Sequence, residues 1–189
     1  MNVTRRFTSA LACLLLVSIL AQPVEAQFAN LLKRVPSSAN TIILVNADKM
    51  FTSEVALREG WRTNFRRSIE AGLTHLPADT KHLVLASQEE FEYQHPVWQV
   101  GMLESKDKHD MVYIAEKQSG TQDTVAGLPA VVLPSEQYLV QFDPFTYGTL
   151  VPASRQAVAR WVKETSEGEP GFSAYIQEAI GYADEAGTE

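Results

Sequence analysis

Short apolar runs along the chain predict six β-strands. The first run, residues 41–45 (TIILV), is continuous and rich in β-branched residues, which is typical of a strand covered on both faces. The later runs are residues 83–86, 97–103, 130–133, 138–142 and 147–151. Turn-forming prolines, serines and aspartates separate the last three runs, so these predict a meander of consecutive strands.

Apolar residues spaced three and four apart predict helices between these strands. Asp48 is expected to cap a short helix over residues 48–58, which Gly60 ends. A longer amphipathic helix follows, because an apolar stripe recurs at every fourth position. This stripe consists of Trp61, Phe65, Ile69 and Leu73.

Three further helices complete the pattern. Ser105 is the predicted N-cap of a helix that Gly120 closes, and Ser154 caps a helix that ends at Gly168. The inward positions are Met111, Val112, Ile114 and Ala115 in the first, and Val158, Trp161 and Val162 in the second. The last helix carries the apolar residues Phe172, Tyr175, Ile176, Ala179 and Ile180.

The predicted order β-α-β-β-α-β-β-β-α-α separates helices from a largely antiparallel sheet. This order predicts a two-layer α+β fold with the helices on one face. The expected organisation is a lead-in over residues 27–40, an α+β domain over residues 41–183 and an acidic tail over residues 184–189. The predicted core contains Ile43, Val45, Phe65, Ile69, Leu83, Leu85, Val100, Val140, Val158 and Trp161.

Residues 1–26 have the composition of a cleavable export signal. Arg5 and Arg6 precede a 12-residue apolar run, residues 10–21, which is too short for a stable bilayer anchor. Small residues then precede a predicted cleavage site between Ala26 and Gln27. We therefore expect an exported bacterial protein of the periplasm, cell envelope or medium, with no membrane span after cleavage.

The single cysteine, Cys13, lies inside the signal and leaves with it. Lipid attachment there is not expected, because cleavage at Cys13 would divide the apolar run. The mature domain would therefore contain no disulfide, no thiolate nucleophile and no cysteine-bound metal. Its stability must come from the packed core.

Acidic residues predominate in the chain, whose formal net charge is −7. Removing residues 1–26 takes away Arg5, Arg6 and Glu25, so the charge becomes −8. Such a surface repels phosphate backbones, and we expect no nucleic-acid binding.

Serine catalysis has one weak motif. Ser105 and Lys108 match the Ser-x-x-Lys pattern of penicillin-recognising enzymes, but the companion Lys-Thr-Gly is absent. An N-cap serine beside a solvated lysine accounts for the same residues, and we assign no catalytic residue.

Neither a metal site nor a cofactor site is predicted. The histidines (His75, His82, His95 and His109) lack the spacing of metal ligands. The acidic cluster of Glu89, Glu90 and Glu92 could line a divalent-ion site, but alternation places Glu90 and Glu92 together on one solvated face of an extended segment. No glycine-rich phosphate-binding loop occurs in the chain.

Arginine and tryptophan side chains allow two other kinds of binding site. Arg62, Arg66 and Arg67 form a candidate anion patch, although glutamates at helical spacing favour a salt-bridged face. The tryptophans (Trp61, Trp98 and Trp161) form a candidate sugar-stacking platform. Trp61 and Trp161, however, are predicted on apolar helix stripes and hence in the core.

Three segments resemble a group of uncharacterised exported bacterial proteins. They are residues 35–40 (VPSSAN) leading into TIILV, the junction Glu59-Gly60-Trp61, and residues 152–161 (PASRQAVARW). The resemblance implies an exported α+β protein with no established activity, and it transfers no functional residue. In the proteins that this chain resembles, another apolar strand follows the helix that ends near Ala183. We therefore expect residues 27–189 to be an incomplete folding unit; the alternative is a helix that packs back and a frayed tail.

Two classes of function remain open. The first expectation is a non-enzymatic extracytoplasmic domain that binds another protein or a cell-envelope component. The alternative is a cell-envelope hydrolase whose site is assembled from scattered Ser, Asp, Glu or His residues. A pocket that holds a nucleophile beside a base would favour the hydrolase, and an exposed apolar patch would favour binding.

Overall fold

The computed structural model describes residues 24–70, 77, 79–90, 92, 95–166 and 171–185. Seven helices occur in this part of the chain: α1 (Val24–Leu32), α2 (Ala47–Thr52), α3 (Glu54–Arg58), α4 (Trp61–Glu70), α5 (Met111–Lys117), α6 (Arg155–Glu164) and α7 (Ala174–Glu185). The strands are β1 (Thr41–Asn46), β2 (Thr80–Glu90), β3 (His95–Ser105), β4 (Thr121–Val125), β5 (Leu128–Leu133), β6 (Gln137–Gln141) and β7 (Thr146–Val151).

All seven strands form one antiparallel sheet in the order β1-β2-β3-β7-β6-β5-β4. Two meanders, β1 to β3 and β4 to β7, meet where β3 pairs with β7. The sheet is open, so β1 and β4 are its two edges. The predicted α+β class and antiparallel sheet are confirmed.

Polar side chains at the helix starts determine where several helices begin. Asn46 accepts a hydrogen bond from the backbone N–H of Lys49, and Ser154 accepts one from Ala157. Each bond satisfies an amide that has no partner within its helix, which stabilises the protein by roughly 1 kcal/mol. Asp110 is the N-cap of α5, so the prediction that Ser105 caps this helix is wrong.

The main core lies between one face of the sheet and helices α1, α6 and α7. Both layers contribute its buried members: Phe28, Leu31, Leu32, Val35, Ala39, Val84, Ala86, Val100, Met102, Val125, Ala130, Tyr138, Val140, Leu150, Val158, Trp161, Val162, Phe172, Ile176 and Ile180. Burial of each large aliphatic or aromatic side chain contributes about 1.5–3 kcal/mol. A smaller cluster on the opposite face packs Met111 and Ala115 of α5 against Val131, Leu139 and Tyr147.

Part of the predicted core is wrong. Val100, Val140, Val158 and Trp161 are buried as expected. Ile43 and Leu85, however, are 53% and 41% exposed, because they point to the sheet face that α5 leaves uncovered. Val45, Phe65 and Leu83 are half-buried, and the side chain of Ile69 lies outside the described residues. β1 is covered on one face only, so the prediction that it is covered on both faces is wrong.

Several residues that were predicted on the buried faces of helices are exposed. Trp61 is 40% exposed, and Val112, Tyr175 and Ala179 are exposed as well. Ile176 and Ile180 of α7 are buried, together with Phe172 just before the helix. None of the described helices is long and apolar enough to cross a membrane.

Candidate functional site

Alternation along four neighbouring strands brings a row of side chains onto the uncovered sheet face. Ile43 pairs with Leu85, Leu85 with Gly101, and Gly101 with Thr149. Because residues directly opposite each other share a face, this row runs straight across β1, β2, β3 and β7. α5 packs near β4 and β5 and leaves this half of the sheet open.

The row forms the floor of a shallow concavity of about 340 Å³, here called the open-face groove. Its lining consists of Thr41, Ile43, Leu85, Ala86, Ser87, Glu89, Gln99, Val100, Gly101, Gln137, Thr149 and Val151. Gly101 has no side chain to fill the concavity, and a Cβ there would meet the Thr149 hydroxyl at 2.9 Å. Ile43 and Leu85 therefore expose adjacent apolar side chains on the floor of this concavity.

Neutral hydrogen-bonding groups surround the apolar floor of the groove. Thr41, Gln99 and Gln137 offer hydroxyl and amide groups around the floor, and Thr149 offers a hydroxyl within it; these groups match the N–H and C=O groups of a peptide. Glu89 is the one charged residue of the lining, and its carboxylate accepts a 2.6 Å hydrogen bond from the Ser87 hydroxyl. The groove therefore suits an extended apolar segment with a cation near Glu89.

A second polar cluster lies where β2 begins and β3 ends. The Ser105 hydroxyl donates a 2.5 Å hydrogen bond to Oδ2 of Asp79 and lies 2.8 Å from Nε2 of His109. The same His109 nitrogen is 3.2 Å from Oδ1 of Asp79. The backbone N–H of Asp107 also donates to Asp79, and that of His109 donates to the Tyr147 hydroxyl.

This Ser105 cluster contains the residue types of a catalytic triad without its geometry. In a triad, the carboxylate binds one imidazole nitrogen and the serine the other. Here Asp79 and Ser105 meet the same nitrogen, and the Ser105 proton is already donated to Asp79. Ser105 is 2% exposed, so a substrate carbonyl cannot approach it. The cluster instead fastens the loop after β3 to the start of β2.

The carboxyl of Asp79 is held in its ionised form. Burial alone would raise the pKa of Asp79. The hydrogen bonds from Ser105 and Asp107 and the proximity of His109 act in the opposite direction, and the net pKa lies below the usual value. The cluster is therefore built around a carboxylate anion.

The Ser-x-x-Lys motif is not assembled into a site. Lys108 lies over the ring of Phe145, with its Nζ 5.5 Å from the ring centroid. Ser105 is directed towards Asp79 and His109. Sequence reasoning identified Ser105 and His109 separately and overlooked Asp79, which no local motif connects with them.

The histidines are dispersed, and so are the residues of the candidate arginine patch. His82 binds Glu104 at 2.8 Å, His95 is exposed, and His75 lies outside the described residues. Arg62 pairs with Asp48 at 3.3 Å, and Arg66 and Arg67 are exposed. Over the described ranges, no three His, Cys, Asp or Glu side chains converge as metal ligands would.

The three tryptophans do not form one platform. Trp161 is buried, Trp61 is exposed, and Trp98 donates a hydrogen bond to Gln88 at 2.9 Å. Of the predicted export signal, residues 1–23 lie outside the described residues, and Ala26 and Gln27 fall within α1.

Searches against protein-family models, curated proteins and solved structures found no match to this chain.

Proposed function

We propose that this protein is an exported, non-enzymatic binding domain that holds an extended, largely apolar segment of a partner protein in the open-face groove. The observation that carries the proposal is the uncovered row of Ile43, Leu85, Gly101 and Thr149. Leaving large aliphatic side chains in water costs free energy that a bound segment would recover. The neutral rim then fixes the segment through its peptide groups.

A peptide-display experiment tests the groove directly. Linear peptides of random sequence are selected on the purified protein, and the selected peptides are synthesised with a fluorescent label. We expect alternating apolar residues with a lysine or arginine placed to meet Glu89. Thr149→Arg should raise the dissociation constant at least about tenfold, equal to about 1.4 kcal/mol, because the long side chain fills the groove floor.

Val112→Arg is the matched control for this experiment. Val112 is 45% exposed on α5 and lies outside the groove lining, so its replacement should leave peptide affinity unchanged. Circular dichroism checks that both variants are folded. Peptides that bind wild type and Thr149→Arg equally would contradict the groove assignment, and so would a selection that yields no binder.

A cell-envelope hydrolase is the second candidate, and the Ser105–His109 distance of 2.8 Å is the observation in its favour. The shared imidazole nitrogen and the burial of Ser105 make it the weaker proposal. The purified protein can be tested for hydrolysis of a chromogenic ester. If it hydrolyses the ester and a folded Ser105→Ala variant does not, the hydrolase becomes the stronger proposal.

Export is part of the proposal, and cleavage is expected between Ala26 and Gln27. N-terminal sequencing of protein recovered from the envelope or medium should begin at Gln27. Ala26→Trp should make the precursor accumulate, because the peptidase accepts only small side chains at that position. An exported form that retains Met1 would contradict the assignment.

A further inference from the structure

The proposed cleavage site lies inside a helix of the folded domain. α1 begins at Val24, so the peptide bond between Ala26 and Gln27 follows the third residue of this helix. In an α-helix each carbonyl accepts a hydrogen bond from the N–H four residues later, which engages the Ala26 carbonyl with Asn30. The bond to be cut is therefore part of a regular helical backbone.

The residues that follow this bond are docked on the sheet. Phe28, the second residue after the bond, is buried in the main core, and its ring meets the His82 ring edge-on with the centroids 5.0 Å apart. Gln27 accepts a hydrogen bond at its side-chain oxygen from the Asn46 amide at 3.2 Å. Leu31, one turn further on, is buried too, because α1 packs against β2, β3 and α7. Unwinding the start of α1 would therefore return buried apolar surface to water.

A peptidase needs this backbone in a different conformation. Clefts that bind peptides commonly hold an extended chain through its main-chain N–H and C=O groups, and a helix has already paired those groups internally. An extended chain also rises about 3.3 Å per residue against about 1.5 Å in a helix, so the residues on both sides of the bond must leave α1 together. An extended segment that reaches two residues past the bond includes Phe28. Cleavage of a folded precursor would then follow the small population of chains in which α1 has opened.

We infer that folding closes the cleavage site, so that the export signal is removed only before α1 docks on the sheet. The inference rests on the export part of the proposed function. Hydrolysis by signal peptidase breaks the C–N bond between Ala26 and Gln27, and water supplies a hydroxyl to the Ala26 carbonyl carbon and a hydrogen to the Gln27 nitrogen. The order of events is then translocation of an unfolded chain, cleavage, and docking of α1. A precursor that folds first keeps its signal.

Cleavage of the full-length precursor by purified signal peptidase tests this order. One sample is folded before the peptidase is added, and the other is diluted from urea directly into the peptidase solution. We expect the unfolded sample to be cut between Ala26 and Gln27 at least about a hundredfold faster, a ratio that corresponds to an open population of about one per cent or less in the folded sample. Mass spectrometry of the products identifies the bond that is cut.

Phe28→Ala tests whether the docking of α1 is what closes the site. Loss of the ring weakens docking, so the folded variant should be cut at least about tenfold faster than the folded wild type. Asn30→Ala is the matched control, because Asn30 is exposed on α1 and its replacement should change the rate less than about threefold. Unfolded samples of all three proteins should be cut at equal rates, which separates docking from recognition by the peptidase. If circular dichroism shows that Phe28→Ala does not fold, Phe28→Leu replaces it, with a smaller increase expected.

Equal cleavage rates for the folded and unfolded wild type would overturn the inference. A folded Phe28 variant that is cut no faster than the folded wild type would overturn it too. An unfolded precursor that the peptidase leaves intact would contradict the export proposal itself, and the inference with it. The two kinds of failure are distinguishable, because only the second appears in the unfolded sample.

Discussion

Trp161→Ala is expected to lower the free energy of unfolding by about 3–5 kcal/mol. Trp161 lies on α6, is 2% exposed and packs into the main core against the sheet. Its ring meets the Phe142 ring edge-on at 5.1 Å, and its Nε1–H donates to the carbonyl of Arg34 at 2.6 Å. Truncation therefore removes a large buried ring and leaves the half-buried carbonyl of Arg34 without this donor.

Urea denaturation followed by circular dichroism measures this loss. Trp61→Ala is the matched control, because Trp61 is 40% exposed and its removal should cost less than about 1 kcal/mol. Gly148 provides a second check, since a Cβ there would lie 2.6 Å from the Trp161 ring. Gly148→Ala should destabilise the wild type by about 1–3 kcal/mol and cost less in the Trp161→Ala background. Equal costs for the two tryptophans would contradict this account of the core.

The sequence predicted those elements whose pattern is determined locally. α6 follows a capping serine and places Val158, Trp161 and Val162 on one stripe, as the structure has them. The predicted meander is present as β5, β6 and β7. Hydrophobic periodicity and helix capping depend on residues a few positions apart, so they can be recognised in the sequence without knowing what the element packs against.

β4 and α1 were missed for different reasons. β4 (TQDTV) has little apolar character because it is an exposed edge, and its hairpin turn is marked only by Ala126 and Gly127, both with positive φ. α1 spans the boundary between the predicted export signal and the lead-in, so its apolar residues were divided between two segments. Phe28 and Leu31 nevertheless belong to the main core.

The candidate groove could not be predicted, because an apolar strand has the same sequence pattern whether or not its face is covered. Ile43 and Leu85 were placed in the core on that pattern, and only the position of α5 determines that they are exposed. Asp79 and Ser105 are 26 residues apart, and the pairing of β2 with β3 brings them together. Long-range register of this kind lies beyond local motifs.

Asp79→Asn is expected to destabilise the protein at pH 7 by about 1.5–3 kcal/mol, the usual contribution of hydrogen bonds to a charged group. The carboxylate accepts from Ser105 and from the backbone of Asp107, and an amide in its place would present a donor to one of them. Because the pKa of Asp79 is lower in the folded protein, its stabilisation is complete above the unfolded pKa of about 3.9. This stabilisation is lost as the pH falls through the folded pKa.

The difference in unfolding free energy between wild type and Asp79→Asn should therefore be largest near neutral pH and shrink below about pH 4. Urea denaturation at a series of pH values measures it. Asp107→Asn is the control, because Asp107 is exposed and enters the Ser105 cluster only through its backbone N–H, so its effect should stay within about 0.5 kcal/mol. A difference that persisted undiminished in acid would mean that Asp79 acts through its shape and hydrogen bonds alone, and not through its charge.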